Sequence, residues 1–271
     1  TFSPSFLKFK IIKLKIIKLL FKVFEKFKKL KQYLTSQHMI NLNDQKYSCS
    51  GKLFIKQKFQ FFWNWIIQYI QTSVTPNALT LIGLIADVGS ALILAYYSPN
   101  ERILVPYWTL VLCAFGLFFY QTLDALDGKQ ARRTNTCSQL GELFDHGCDA
   151  IPFNFVVLGS IISVGRGEYP WLMFFQFFIT VALIYMAHWQ VYVTGTLQFG
   201  SLNVTETQTY IILVYLVSAC FGIEIWDCYV PFLNIELKIV HFIIMPFGGI
   251  YINCRFSKII LGGSVVESSR V

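Results

Sequence analysis

The chain has 271 residues, 55% of them hydrophobic, 17% aromatic and only 14% charged, a balance too apolar and too charge-poor for an ordinary soluble domain. Its net charge of +8 is concentrated before Lys58, so the basic residues speak for an anionic membrane surface and against nucleic-acid binding. The seven cysteines form no C-x-x-C pair and no zinc-type spacing, and several sit in apolar runs where Cys acts as a small hydrophobe.

The sequence begins at Thr1 without an initiator Met and without a charged region, apolar core and cleavage site in succession, which leads to the expectation of a fragment. Over residues 6–34 lysines alternate with Phe, Ile and Leu, as in Lys13-Leu14-Lys15-Ile16-Ile17-Lys18. No charge-free stretch there is long enough to span a bilayer. The segment reads either as a basic helix lying on an anionic leaflet or as a basic tail without fixed structure. Residues 59–65 then supply Phe59, Phe61, Phe62, Trp63 and Trp65, aromatics of the kind found at headgroup depth.

From Pro76 onward six apolar runs follow, over 79–97, 105–123, 140–164, 171–193, 210–223 and 239–252. Most approach the ~20 residues of a spanning helix, and the last two reach that length only if their flanks join them. Helices are expected throughout, because an open sheet would leave backbone groups unpaired in lipid. The predicted fold class is therefore an all-α, polytopic membrane protein with about six transmembrane helices and a basic amphipathic amino-terminal segment. The divisions are a basic interfacial segment over 1–58, a catalytic transmembrane domain over 59–258 and a truncated or atypical tail over 259–271. Lys52, Lys56, Lys58, Lys129, Arg132, Arg133, Arg255 and Lys258 fall on one side, against Arg102, Arg166 and Lys238 on the other. By the positive-inside rule the former side is cytosolic, as is the sequon Asn203-Val204-Thr205, so glycosylation is not expected.

Chemistry is concentrated between the second and third runs, in Asp124-Ala125-Leu126-Asp127-Gly128-Lys129-Gln130-Ala131-Arg132-Arg133 and Gly141-Glu142-Leu143-Phe144-Asp145-His146-Gly147-Cys148-Asp149. On helices, Asp124 and Asp127 share a face, as do Asp145 and Asp149, with Cβ atoms roughly 5 to 6 Å apart. Glu142, Asp145, His146 and Asp149 fall within an arc of about 100°. Gly128 and Ala131 lie on the side of Asp124 and Asp127, where short side chains let a phosphate or metal approach the backbone. Converging aspartates at membrane depth are costly and mark a cavity or pathway, against the bland reading of a solvated loop salt-bridged to Lys129, Arg132 and Arg133. Their hard oxygens favour Mg²⁺, with Mn²⁺ or Ca²⁺ as alternatives, and their number suits two metals.

These residues match the pattern D-x2-D-G-x2-A-R-x8-G-x3-D-x3-D through Asp124, Asp127, Gly128, Ala131, Arg132, Gly141, Asp145 and Asp149. The chain thus resembles the CDP-alcohol phosphatidyltransferases, and its longer strings resemble the eukaryotic choline/ethanolamine phosphotransferases within them. The likeness extends to Tyr47-Ser48-Cys49-Ser50-Gly51, Ala187-His188-Trp189-Gln190 and Val204-Thr205-Glu206. It covers the front part of a family whose members have about ten spanning helices, which leaves homodimerisation in question.

The resemblance implies transfer of phosphocholine or phosphoethanolamine from CDP-choline or CDP-ethanolamine to diacylglycerol, releasing CMP, in an endoplasmic reticulum or Golgi membrane. Asp124, Asp127, Asp145 and Asp149 are the expected metal ligands. Asn77, Gly128, Ala131, Arg132, Gly141 and Glu142 are expected at the substrate; for Asn77 the bland alternative is helix capping. His146 and Asp149 are the candidate bases, and His146 is preferred because a nearby cation makes a ligating carboxylate a poor base. Glu142 would orient the ring or reach the substrate amine. Lys129 and Arg133 are read as interfacial snorkelling residues, and Asp87 and Pro152 receive no role. Competing readings are a family member using CDP-diacylglycerol with inositol, glycerol phosphate or serine, a cation transporter, and an inactive membrane protein.

Overall fold

A computed structural model describes residues 48–50, 54–98, 105–165, 170–194, 196–198, 204–230 and 235–262. The chain separates into Thr1–Lys46 and Tyr47–Val271, and every described residue belongs to the second unit. The basic segment over 6–34, Asn203 of the sequon and residues 263–271 of the tail lie outside the described residues.

Helices dominate: α1 (Phe54–Ile66), α2 (Pro76–Tyr97), α3 (Tyr107–Arg133), α4 (Gln139–Asp149), α5 (Pro152–Ser163), α6 (Pro170–Thr194), α7 (Val204–Phe221) and α8 (Leu237–Gly262). Two minimal strand pairs accompany them. β1 (Ser48–Ser50) runs parallel to β2 (Thr196–Gln198), which joins the segment before α1 to the end of α6, and β3 (Tyr229–Val230) is antiparallel to β4 (Ile235–Glu236).

Among the described residues α2, α3, α6, α7 and α8 are long and apolar enough to cross a membrane. The flanks of the last two apolar runs do join them, giving α7 18 residues and α8 26. The run over 140–164 is divided instead. Pro152 has no N–H to continue the ladder and its ring would crowd the carbonyl four residues back, so α4 closes at Asp149 and Pro152 opens α5 at its first turn. The Ile151 N–H turns back to the Cys148 carbonyl at 3.2 Å, and the Asn154 side chain donates to the Ala150 carbonyl at 3.3 Å.

The scaffold of the bundle is the packing of α2 along α3, with α7 on the other flank of α3, α4 and α5 against α2, and α6 against α8. Glycines allow the central approach. A Cβ at Gly116 would stand 2.5 Å from Ser90 Oγ, and one at Gly83 would stand 3.3 Å from Leu123 Cβ. Leu94, Leu110 and Leu117 are fully enclosed, and Trp63 of α1 is buried with Leu79, Leu123 and Leu126 at the end of the α2–α3 pair. Phe144 and Cys148 place the apolar face of α4 on Leu84 and Val88 of α2, which turns its carboxylates toward α3.

Replacing Gly116 by Leu forces a branched side chain into this contact. The expected result is a loss of about 1–3 kcal/mol, read as a lower midpoint of thermal unfolding in detergent, whereas Gly89→Ala, which meets no atom within 4 Å, leaves the midpoint unchanged.

Candidate functional site

The acidic residues converge where the last turns of α3 meet α4 and the start of α2. Asp124 faces Asp149, and Asp127 faces Asp145. The ligand atoms of Asp124, Asp127 and Asp145 lie within 4.8 Å of one another, and so do those of Asp145, His146 and Asp149. Asp145 belongs to both groups.

Neighbouring side chains fix two of the four carboxylates. Thr80 Oγ1 donates to Asp127 Oδ2 at 2.6 Å, and the Gly128 N–H donates to Asp127 Oδ1, so both oxygens of this buried carboxylate are oriented. Tyr120 donates its hydroxyl to Asp149 Oδ1 at 2.7 Å. Asp145 Oδ1, by contrast, is buried without a hydrogen-bond partner among the described residues. A buried anionic oxygen left uncommitted is costly unless a cation or donor meets it. Clustered hard oxygens with one of them uncommitted therefore fit a divalent cation such as Mg²⁺.

The helix ends bring in the remaining candidates. Ser138 caps α4, its hydroxyl accepting from the Gly141 N–H at 3.1 Å. A Cβ at Gly141 would lie 3.7 Å from Asn77 Oδ1, so Asn77 of α2 borders the start of α4. Asn77 is not the cap of α2. That position is Thr75, followed by Pro76, and Asn77 is exposed one residue further on. The Arg132 guanidinium lies beside Gly128, with Nη1 3.6 Å from the position a Cβ would take, an ordinary van der Waals distance. Ala131 is half-buried on the same helix.

Glu142 and His146 are one turn apart on α4, with Glu142 Oε1 3.7 Å from His146 Nε2, and both are partly exposed. The His188 ring of α6 meets His146 edge to face at 5.4 Å, its Nδ1 lying 2.8 Å from the Ile184 carbonyl.

The structure brings the four aspartates together with His146 and Glu142, sets Asn77 beside Gly141 and Arg132 beside Gly128, and for Ala131 describes only its place on α3. Thr80, Tyr120 and His188 were not among the sequence-derived candidates. Tyr120 precedes Asp124 by four residues and so carried the helical signal. Thr80 lies 47 residues from Asp127, and only the fold joins them. Lys129 and Arg133 differ from their reading as snorkelling residues. Lys129 Nζ donates to Gln60 Oε1 and Asn64 Oδ1 at 2.7 Å each, and Arg133 donates to the Ile67 and Ile70 carbonyls.

Losing the donor to a ligating carboxylate weakens a metal site by about 10–100-fold. Thr80→Val and Tyr120→Phe are each expected to weaken Mn²⁺ binding within that range, measured by electron paramagnetic resonance titration of the purified protein.

The profile of the CDP-alcohol phosphatidyltransferase family matches residues 73–247, which contain all four aspartates. Cholinephosphotransferase 1 of Rattus norvegicus is 43% identical over 239 residues, 88% of this chain and 60% of the relative. The proteins of the same name from Danio rerio and Homo sapiens are 45% and 43% identical, over 86% and 87% of this chain and 61% and 58% of their own lengths. The chain therefore spans about 60% of the length of the relatives it matches. With five helices among the described residues able to cross a bilayer, it is an integral membrane protein, and it belongs to the CDP-alcohol phosphatidyltransferase family.

Proposed function

We propose that the chain transfers phosphocholine or phosphoethanolamine from CDP-choline or CDP-ethanolamine to diacylglycerol, forming phosphatidylcholine or phosphatidylethanolamine and CMP. The observation that carries this reading is the meeting of Asp124 and Asp127 with Asp145 and Asp149 at one end of the α2–α3 pair, bordered by Arg132 and Asn77. The name of the relatives puts the choline donor first. The site would face the cytosol in an endoplasmic reticulum or Golgi membrane, with diacylglycerol reaching it from the surrounding lipid.

In the reaction the free hydroxyl oxygen of diacylglycerol forms a bond to the β-phosphorus. The bond from that phosphorus to the oxygen bridging to CMP breaks, and CMP leaves with the electron pair. Mg²⁺ held by Asp124, Asp127, Asp145 and Asp149 would supply charge neutralisation of the diphosphate and of the departing CMP. Arg132 offers a forked, permanent cation to the phosphate oxygens, and Gly128 gives it room to lie against the helix. His146 accepts the hydroxyl proton through a ring nitrogen that the carboxylates leave free of the metal. Glu142, 3.7 Å from Nε2, stabilises the imidazolium that results, and the edge of His188 limits the tilt of the ring. Asn77 sits at the rim, where its amide can hydrogen-bond the nucleotide.

Membranes containing the chain, incubated with labelled CDP-choline, diacylglycerol and Mg²⁺, are expected to yield labelled phosphatidylcholine. No lipid product, under conditions in which a full-length relative is active, overturns the proposal. His146→Ala should lower kcat by about 10²–10⁴-fold while CDP-choline still binds. Asp124→Ala should abolish Mg²⁺-dependent CDP-choline binding, measured by isothermal titration.

A further inference from the structure

The final turns of α3 are used on two sides. One side carries Asp127, which belongs to the site, with Gly128, Ala131 and Arg132 on the same face by helical spacing. The other carries Lys129, Gln130 and Arg133, interleaved with them along the same helix and directed away from the aspartates.

Among the described residues, each of these three makes two side-chain hydrogen bonds to acceptors in α1 or in the chain leading from it to α2. Lys129 Nζ reaches Gln60 Oε1 and Asn64 Oδ1 on adjacent turns of α1, both at 2.7 Å. Arg133 Nη1 reaches the Ile67 and Ile70 carbonyls at 2.6 and 3.0 Å, just beyond the last residue of α1, where carbonyls have no helical partner. The fully buried Gln130 gives Nε2 to the Gln71 and Val74 carbonyls at 2.8 and 3.0 Å, one residue short of the Thr75 that opens α2. Trp63 closes the apolar side of the same junction against Leu79, Leu123 and Leu126.

Geometry gives this clamp a consequence for the chemistry. At 1.5 Å and 100° per residue, a shift of α3 by a fraction of a turn carries Asp127 and Arg132 away from Asp145 and Asn77. Packing of α2 on α3 resists separation, and Thr80 holds Asp127 across it, but Arg132 lies more than a turn beyond that hydrogen bond. Directional hydrogen bonds to fixed carbonyls oppose sliding and rotation, and the end of α3 receives them from Lys129, Gln130 and Arg133.

We propose that Lys129, Gln130 and Arg133 are positioning residues: by fastening the end of α3 to α1 and to the start of α2, they set the placement of Asp127 and Arg132 for the diphosphate. This rests on the function proposed above for what is bound, and on the hydrogen bonds alone for the clamp. The consequence is that Gln60 and Asn64, which do not border the site, govern nucleotide affinity through Lys129.

The experiment is a double-mutant cycle on the full chain in detergent with lipid, joining Lys129→Met with the paired change Gln60→Leu and Asn64→Leu. Two readouts are taken, Mg²⁺-dependent CDP-choline affinity and hydrogen exchange of the amides over 124–134. Each arm alone is expected to weaken CDP-choline binding by about tenfold and to speed exchange at the end of α3. The combined protein should be no worse than either arm, Lys129→Arg should restore most of the affinity, and the KM for diacylglycerol should be unchanged. Additive losses, a loss confined to the diacylglycerol KM, or exchange rates equal to those of the unaltered chain overturn the proposal. If the unaltered chain binds no CDP-choline, the proposed function is what fails, and the exchange readout still decides whether the clamp holds α3.

Discussion

Four carboxylates brought together in an apolar protein repel one another, and the arrangement survives only where the surrounding structure leaves them no way apart. Two elements carry the pairs, α3 with Asp124 and Asp127 and α4 with Asp145 and Asp149, and α2 holds both. Its glycine-lined contact with α3 is close enough for Thr80 to reach Asp127. Its Leu84 and Val88 seat Phe144 and Cys148, so the apolar stripe of α4 determines where its acids point. Ordinary hydrophobic packing thereby sustains an electrostatically unfavourable cluster, which is the condition a cation would relieve.

The length of α3 allows the cluster to sit at the edge of a bilayer. With 27 residues at 1.5 Å each, α3 is about 40 Å long, more than the ~30 Å hydrocarbon core requires. The excess falls at its polar end, where Asp127, Lys129, Arg132 and Arg133 lie in sequence. A site there can be reached by a soluble nucleotide and, through the side of the bundle, by a lipid. The break at Pro152 serves the same geometry. An unbroken helix would have continued α4 along its own axis, whereas ending it after Asp149 lets α5 choose its own path against α2.

Much of this was legible in the sequence because helical periodicity is local. The pairing of Asp124 with Asp127 and of Asp145 with Asp149 and the arc that adds Glu142 and His146 follow from spacing along single elements, whereas the division of the 140–164 run at Pro152 appears only in the structure. Contacts between elements were less accessible. Thr80 is an unremarkable residue in an apolar run until α2 is laid on α3, and His188 reaches His146 from a helix 42 positions further along. Lys129 illustrates the limit most clearly. A lysine near the end of a spanning helix suits an interface in isolation, and only the position of α1 shows that Gln60 and Asn64 engage it instead.

The two overlapping ligand groups pose a question of chemistry that geometry alone leaves divided, because His146 sits in one of them. Mg²⁺ prefers oxygen to imidazole nitrogen, and Asp145 and Asp149 offer oxygens in the same group. Asp145, common to both groups and with one buried oxygen uncommitted, is the carboxylate best placed to serve two cations. In the proposed reaction, aspartates holding the metal would leave the imidazole for proton transfer, with Glu142 on its own helix and His188 across the bundle beside it. The proposed division of labour between hard oxygens for the cation and a ring nitrogen for the proton thus rests on ligand preference.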